Sequence, residues 1–289
     1  MMKHQWKKWF VGLAVLIGVV YLLYLFNVLS LLGFFQSPTR LAMERKQAKE
    51  KRVMDALHFA LKDPGEAPQA LHEQVTLGYQ LMLHTPQYAE AYVGDQLSCT
   101  HCHFAGGNTS GGTNNGFALA GVSATYPKYE PRLKEMIDLP KRINLCFERS
   151  MNGKALPLDS KEMLALVTYL QWISKGVPTY TDVPWLGIPP LVSTHKADSQ
   201  NGKQVYVKSC ALCHGVNGEG EFENDIPPLW GDKSFNDAAG MNKLETLAAF
   251  IYWNMPYDDI GLTVEDSIDV AQYIIEQTRP HYKKDTNAK

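Results

Sequence analysis

The sequence SCTHCHFAGG at residues 98–107 and the sequence SCALCHGVNG at residues 209–218 share the pattern Cys-x-x-Cys-His. Two thiols three positions apart can each add to a haem vinyl group, and the next residue, a histidine, then lies close to the iron. The pattern therefore predicts two covalently bound haem c groups. The attaching cysteines would be Cys99, Cys102, Cys210 and Cys213, and the proximal iron ligands would be His103 and His214.

The sequence on either side of a proline-rich stretch repeats one scheme of elements, which indicates an internal duplication. Each half has a helix, the haem motif, a long glycine-rich loop, a short helix and a final helix. The final helix of the first half should be capped by Asp159 and that of the second by Thr263, each with an acidic residue three positions on. Almost no segment alternates with a period of two residues. The second half also resembles the opening of a class I cytochrome c, so we expect an all-α protein with two domains of this type.

The 289 residues suffice for two domains of ~100–150 residues and an N-terminal extension. We expect the haem domains to be joined by a linker, because residues 177–191 are proline-rich and show no helical period. The expected organisation is a membrane anchor over residues 1–36, a spacer over 37–70, a catalytic domain over 71–176, a linker over 177–196 and an electron-transfer domain over 197–285.

The N-terminal segment carries no charged residue from Trp9 to Phe35, which is enough to cross a hydrocarbon core of ~30 Å as a helix. A cleavable signal peptide is the alternative, but its apolar region should be only ~7–15 residues long and end in an Ala-x-Ala-like site. The positive charges that follow the segment would by count lie in the cytoplasm. Because bacteria attach c-type haem outside the cytoplasmic membrane, we instead expect periplasmic haem domains anchored in the inner membrane.

Composition limits the classes of partner. The formal net charge of −2 gives no general reason to expect a nucleic acid. Four of the five cysteines belong to the haem motifs, which leaves Cys146 alone. An odd cysteine in an exported protein requires an explanation.

The distal iron ligand of the second haem has two methionine candidates, Met241 and Met255. Met255 follows an apolar helix and precedes the final one, where class I cytochromes place this ligand, so we prefer it. For the first haem, the duplication alone favours Met151, since Met151 and Met255 lie at equal distances before the predicted helix caps. Cys146 competes with it, and a second histidine could also serve. The histidines to consider are His58, His72 and His84.

The sequence RINLCFERSMNGK at residues 142–154 resembles the signature of the tetrathionate-forming thiosulfate dehydrogenases. The similarity extends from about Leu77 to the C-terminus. It includes Tyr126-Pro127, Arg132 and the helix before Met255. The resemblance implies that the first haem is ligated by His103 and Cys146 and the second by His214 and Met255. It also implies that Arg132, Arg142 and Ser150 bind substrate.

One residue departs from the family pattern. Some members carry a lysine immediately before the distal methionine, where it can compete for the iron, and this chain has Asn254. An amide is a poor ligand, so we expect no such exchange here.

The resemblance implies an enzyme that joins two thiosulfates into tetrathionate and can also catalyse the reverse reduction. The electrons would pass through two haems to a periplasmic cytochrome or another acceptor. Cys146 would act as ligand, as nucleophile or as both. Fixed arginine charge suits a desolvated dianion. One alternative is a membrane-anchored dihaem cytochrome that only carries electrons. Another is a sulfur enzyme that conjugates thiosulfate to a carrier protein.

Overall fold

The computed structural model describes residues 17–22, 24, 38–57, 59–257 and 259–283. The chain divides into two compact units, residues 1–42 and residues 43–289. In the first unit, residues 17–22 and 24 are helical. The predicted membrane span from Trp9 to Phe35 lies mostly outside the described residues. Within the described part of the chain, no helix combines the length and the apolar character that a membrane crossing requires.

The second unit is mainly helical, as predicted, with one small hairpin. The helices, numbered in chain order from the one that leads into this unit, are α1 (Pro38–Leu57), α2 (Gln69–Leu83), α3 (Thr85–Ala89), α4 (Leu139–Leu145), α5 (Lys161–Trp172), α6 (Ser199–Ser209), α7 (Ala211–His214), α8 (Leu244–Asn254) and α9 (Val264–Ile275). Strands β1 (Lys128–Glu130) and β2 (Glu135–Ile137) pair antiparallel. The prediction of an all-α fold missed this hairpin, because three-residue strands are too short to show alternation.

The first haem domain is built on the crossing of α2 and α5. A Cβ atom on Gly78 of α2 would lie 2.2 Å from the carbonyl oxygen of Ala165 on α5, so only glycine permits this approach. Tyr79 and Tyr169 pack beside the crossing with ring centroids 5.6 Å apart. The fully buried Phe147, which follows α4, belongs to the same hydrophobic core.

The second haem domain repeats this crossing with α6 and α9. A Cβ atom on Gly202 would lie 2.0 Å from the carbonyl oxygen of Asp269. Tyr206 and Tyr273 pack beside it with centroids 5.6 Å apart. The duplication predicted from the sequence is therefore present as two helix pairs that cross at a glycine.

The start of α5 corrects one prediction. Its N-cap is Ser160, whose hydroxyl accepts a hydrogen bond from the Met163 amide at 3.2 Å, and not Asp159. The cap therefore lies one residue later than predicted, because the Ser160 hydroxyl binds a backbone amide in the first turn of the helix. The Thr263 cap of α9 is as predicted, since its hydroxyl accepts from the Asp266 amide at 3.0 Å.

The segment predicted as a linker packs tightly in its first half. Trp185 is fully buried, donates from Nε1 to the Ala120 carbonyl at 2.6 Å, and stacks on Phe59 at 5.1 Å between centroids. Phe59 belongs to the segment predicted as a spacer. Both segments therefore pack against the first haem domain, while the domain boundaries themselves stay a prediction.

The two haem domains meet where α8 contacts the loop after the first motif. Phe117 of that loop stacks on Phe250 of α8, with centroids 5.5 Å apart and planes at 21°. Phe104 contacts Phe250 edge-on at 5.8 Å. The Asn114 amide donates to the Trp253 carbonyl at 3.0 Å. This interface places the end of α8 beside the loop that follows His103.

Candidate haem sites and active site

The His103 imidazole is held in one tautomer by the loop after the first motif. Its Nδ1 lies 2.7 Å from the Phe117 carbonyl oxygen. A carbonyl oxygen only accepts, so Nδ1 carries the hydrogen and Nε2 keeps its lone pair. Burial lowers the pKa of His103 to about 4, with the Phe117 hydrogen bond opposing this shift and the Arg142 charge adding to it. The ring is therefore neutral at pH 7, in the form that binds iron.

The thiols of the first motif fit covalent attachment of a haem. Cys99 and Cys102 are not joined in a disulfide and are half-buried. Burial, the largest contribution, raises the pKa of each to about 12, and the Thr85 hydroxyl partly offsets this at Cys99. Two free thiols beside a neutral imidazole are the donor set that haem c requires.

The second motif repeats the arrangement. The Nδ1 atom of His214 lies 3.0 Å from the Pro227 carbonyl oxygen, so Nε2 is again left with its lone pair. Burial lowers the pKa of His214, the hydrogen bond to Pro227 opposes this, and the nearby His101 adds to it. Cys210 and Cys213 are free thiols. The chain therefore presents the attachment residues for two haem c groups.

Met255 lies directly after α8 and packs half-buried against the second core. Its neighbour Asn254 is fully buried. The Asn254 Oδ1 atom accepts from the Gly116 amide at 2.9 Å, and Nδ2 donates to the Phe250 carbonyl at 3.0 Å. Both ends of this side chain are therefore engaged with backbone groups. Met241, the other candidate, lies in a 3-10 turn and also packs against the second core.

Cys146 begins a π-helical turn, Cys146–Ser150, that continues directly from α4. We refer to it as the Cys146 turn. The Asp138 carboxylate caps α4 by accepting from the Lys141 amide at 2.9 Å. The Arg142 Nη1 atom donates to the Cys146 sulfur at 2.7 Å. Short π-helical turns occur frequently at functional sites. In this one, the sulfur of the first residue, Cys146, accepts a hydrogen bond from a guanidinium.

Cys146 makes the largest contribution to the raised pKa of Arg142, and burial opposes the shift. Tyr126 lies close to the same guanidinium. Burial raises the pKa of Tyr126 to about 12, against the lowering effect of Arg142, so its hydroxyl stays protonated and able to donate. The structure thus joins a sulfur, a fixed positive charge and a neutral hydroxyl at one place.

The hairpin brings a further positive charge to this region that sequence reasoning missed. Lys128 Nζ lies 4.9 Å from the centroid of the Tyr126 ring. The pKa of Lys128 is lowered, first by burial and then by the positive charge of Arg142, while Glu130 opposes the shift. A basic residue so close to the Tyr126-Pro127 pair was the available signal, but only the structure shows that Lys128 lies near enough to Arg142 for their charges to interact.

Arg132 has a different surrounding from Arg142. Its Nε atom donates to the Glu130 carboxylate at 3.0 Å, and its side chain is 36% exposed. Burial raises the pKa of Glu130, but hydrogen bonds from Arg132 outweigh burial and the net shift is downward. The structure therefore pairs Arg132 with a carboxylate and pairs Arg142 with Cys146. Ser150 is half-buried at the last position of the Cys146 turn.

The alternative candidates for the distal ligand of the first haem are one methionine and three histidines. Counted from the crossing residues Ala165 and Asp269, Met151 is equivalent to Met255. Met151 is nevertheless only 3% exposed and belongs to the hydrophobic core. The histidine candidates His72 and His84 are exposed. The third candidate, His58, lies outside the described residues.

Two family models match the chain. Residues 86–179 match the "SoxA/TsdA, cytochrome c domain" model, and residues 199–277 match the "Cytochrome c" model. Together they cover both haem motifs, the Cys146 turn and Met255.

Several thiosulfate dehydrogenases are similar to this chain over most of its length. A thiosulfate dehydrogenase of Thiomonas intermedia is 42% identical over 213 residues, which are 72% of this chain and 67% of that protein. One of Allochromatium vinosum is 37% identical over 75% of this chain and 82% of that protein. The solved structure of the thiosulfate dehydrogenase TsdBA of Marichromatium purpuratum matches with a TM-score of 0.73 and 31% identity. It covers 81% of this chain, which spans about half (52%) of that longer chain.

Proposed function

This chain belongs to the thiosulfate dehydrogenase family, and from that premise we propose how its residues oxidise two thiosulfate ions to one tetrathionate. It is a dihaem cytochrome c enzyme. The observation that carries the proposed active site is the 2.7 Å hydrogen bond from Arg142 to the Cys146 sulfur, at the start of a π-helical turn in the first haem domain.

We assign the haem ligands from the sequence and the side-chain geometry. Cys99 and Cys102 would attach the first haem, with His103 and Cys146 on its iron. Cys210 and Cys213 would attach the second, with His214 and Met255. Each haem, when bound, supplies a centre that accepts one electron. The neutral state of both histidines and their fixed tautomers support this assignment.

The residues around Cys146 suit a sulfur-containing dianion. Arg142 keeps its charge at any physiological pH, and its fork-shaped guanidinium can bind sulfonate oxygens. We infer that Arg142 and Lys128 together hold the oxygens of thiosulfate, with Tyr126 as a hydroxyl donor. Arg132 is partly exposed and pairs with Glu130. In this arrangement Arg132 attracts and orients the anion, and Ser150 adds a hydroxyl at the end of the turn.

The second haem domain would accept the electrons. A thioether ligand such as Met255 favours reduced iron and raises the reduction potential, whereas a thiolate such as Cys146 lowers it. Electrons would then flow from the first haem to the second and onward to a periplasmic cytochrome or another acceptor. Because both ends of the Asn254 side chain bond to backbone groups, we expect Met255 to keep its place in both redox states.

We also propose that residues 1–36 anchor the enzyme in the inner membrane and that the haem domains lie in the periplasm. The uncharged stretch from Trp9 to Phe35 and the extracytoplasmic attachment of haem c support this proposal.

The proposed function is tested with the purified dihaem protein. Added thiosulfate should reduce the haems, and with an excess of oxidised acceptor it should yield one tetrathionate per two thiosulfates. The reverse reaction is followed with reduced acceptor and tetrathionate. The contrary result is that other electron donors reduce the haems while thiosulfate does not reduce them and tetrathionate does not reoxidise them. That result would identify the protein as an electron carrier instead.

A further inference from the structure

The carbonyl oxygens of the Cys146 turn find their hydrogen-bond donors in two different domains. The first two are satisfied within the first haem domain. The Met151 amide donates to the Cys146 carbonyl at 3.0 Å, and the Gly153 amide donates to the Phe147 carbonyl at 2.8 Å. The end of any helical segment leaves further carbonyls that require donors from elsewhere.

The next two carbonyls are bound by one residue of the second haem domain, Asn236. Its side-chain Nδ2 donates to the Glu148 carbonyl at 2.8 Å. Its backbone amide donates to the Arg149 carbonyl at 3.2 Å. Asn236 is only 1% exposed, so water does not replace it easily. The second domain therefore caps the C-terminal end of the turn that begins with Cys146.

The remaining contacts of Asn236 fix its orientation. Nδ2 also lies 3.2 Å from Oδ1 of Asn152, a residue with a positive φ of 47° just beyond the turn. The Oδ1 atom of Asn236 accepts from the Ala238 amide at 3.2 Å. The side-chain amide thus uses its donors on the Cys146 segment and its acceptor on its own loop. An asparagine can make both kinds of contact because its side chain has donors and an acceptor, whereas an ionised aspartate has acceptors only.

We propose that Asn236 is a positioning residue of the active site, through which the second haem domain holds the Cys146 turn in place. This inference rests on the proposed function, in which Cys146 is a ligand of the first haem. The hydrogen bond that the Asn236 side chain donates to the Glu148 carbonyl stabilises the end of the turn, so a turn that lost this bond would shift. Cys146, at the opposite end of this five-residue turn, would then be presented less accurately to iron and substrate.

The test compares two matched substitutions in the holoprotein. Asn236→Asp keeps the shape and the acceptor but removes the side-chain donor to the Glu148 carbonyl and Asn152, while the backbone amide still donates to the Arg149 carbonyl. Asn242→Asp is the control, because Asn242 donates from Nδ2 to the Asp237 carbonyl at 3.0 Å within the second domain. Haem content and the methionine–iron band of the second haem show that each variant is folded. Asn236→Ala serves as a second variant without the added carboxylate.

For Asn236→Asp and Asn236→Ala we expect a smaller fraction of thiolate-ligated first haem in the ferric electron paramagnetic resonance spectrum. We also expect a fall of about tenfold in kcat, the effect of one lost buried hydrogen bond, with less change in KM. The control should match the wild type. Wild-type thiolate signal and kcat in both Asn236 variants would overturn the inference. A wild type that lacks either the thiolate signal or thiosulfate oxidation would instead overturn the proposed function.

Discussion

The Arg142 guanidinium donates a hydrogen bond of 2.7 Å to the Cys146 sulfur from one helical turn earlier in the chain. Helical residues four apart lie on one face, so α4 and the π-helical turn after it fix this contact locally. The sulfur therefore has a permanent positive neighbour, and Cys146 in turn makes the largest contribution to the raised pKa of Arg142.

Replacing Arg142 by Lys should lower kcat/KM for thiosulfate by roughly 10- to 100-fold, the usual worth of a hydrogen bond to a charged group. Lysine keeps the charge but not the fork that reaches sulfur and oxyanion together. The matched control is Lys141→Gln, since Lys141 is exposed and pairs with Glu135 at 2.6 Å. Steady-state kinetics measure both effects, and equal losses in both variants would show that the effect is not specific to the Arg142 guanidinium.

The Glu130–Arg132 pair predicts opposite effects of two substitutions. Glu130→Gln removes a negative charge beside the anion site and should lower KM for thiosulfate, whereas Arg132→Ala should raise it. Each change should be roughly two- to fivefold, because the pair is partly exposed. Both shifts should shrink at high salt.

The pH dependence of KM provides a control for the predicted effect of the Glu130–Arg132 pair. Since the net shift of the Glu130 pKa is downward, the carboxylate stays ionised above pH 5, and the KM ratio between Glu130→Gln and wild type should be constant from there to pH 8. A ratio that changes over this range, or a higher KM in Glu130→Gln, would contradict the assignment.

Local sequence patterns predicted what depends on near neighbours. The haem motifs and the Thr263 cap are short-range features, and the structure has them where expected. The Asp159 cap was wrong by one residue because the adjacent Ser160 offers an equally good side chain. Contacts across domains leave no local pattern, so nothing in the sequence around Asn236 indicates that it binds the Cys146 turn.

The hairpin shows a second limit of prediction from sequence. Lys128 and Glu130 lie on a three-residue strand, and their relation to Arg142 depends on pairing with a strand that follows a turn. The resemblance to the family indicated Arg132 and Arg142. It did not indicate that Glu130 pairs with Arg132 and not with Arg142.

Replacing Met255 by Gly should lower the potential of the second haem and abolish its methionine–iron charge-transfer band, because the thioether favours reduced iron. The first haem should be unchanged. Met241→Leu is the matched control, since Met241 packs against the same core. Redox titration with near-infrared absorbance gives both results. Loss of the band in Met241→Leu and its survival in Met255→Gly would transfer the role to Met241.

The stability of the second domain should decrease in acid through Asp269. Burial raises the pKa of this carboxyl, but hydrogen bonds from the Asp198 amide, Asn201 and His195 outweigh burial, and the net shift is downward. A lowered folded pKa stabilises the fold above the unfolded value of about 3.9, and this contribution is lost as the pH falls through the folded pKa.

Asp269→Asn should therefore reduce the free energy of unfolding by roughly 1–3 kcal/mol at pH 7 and flatten its dependence on pH below about pH 4. Urea unfolding, followed by absorbance of the second haem, measures both. The exposed Asp259→Asn should leave both unchanged. An acid dependence that persists in Asp269→Asn would assign it to another group.

The rate of tetrathionate formation in Cys146→Gly, beside Met151→Leu, tests the central claim that Cys146, and not Met151, is required for turnover. Met151 is the matched residue because it shares the helix-crossing register of Met255 yet is buried in the core. With both haems attached, we predict that Cys146→Gly forms no tetrathionate and that Met151→Leu retains most of the wild-type rate. A Cys146→Gly protein that forms tetrathionate at a rate comparable to the wild type would contradict the account.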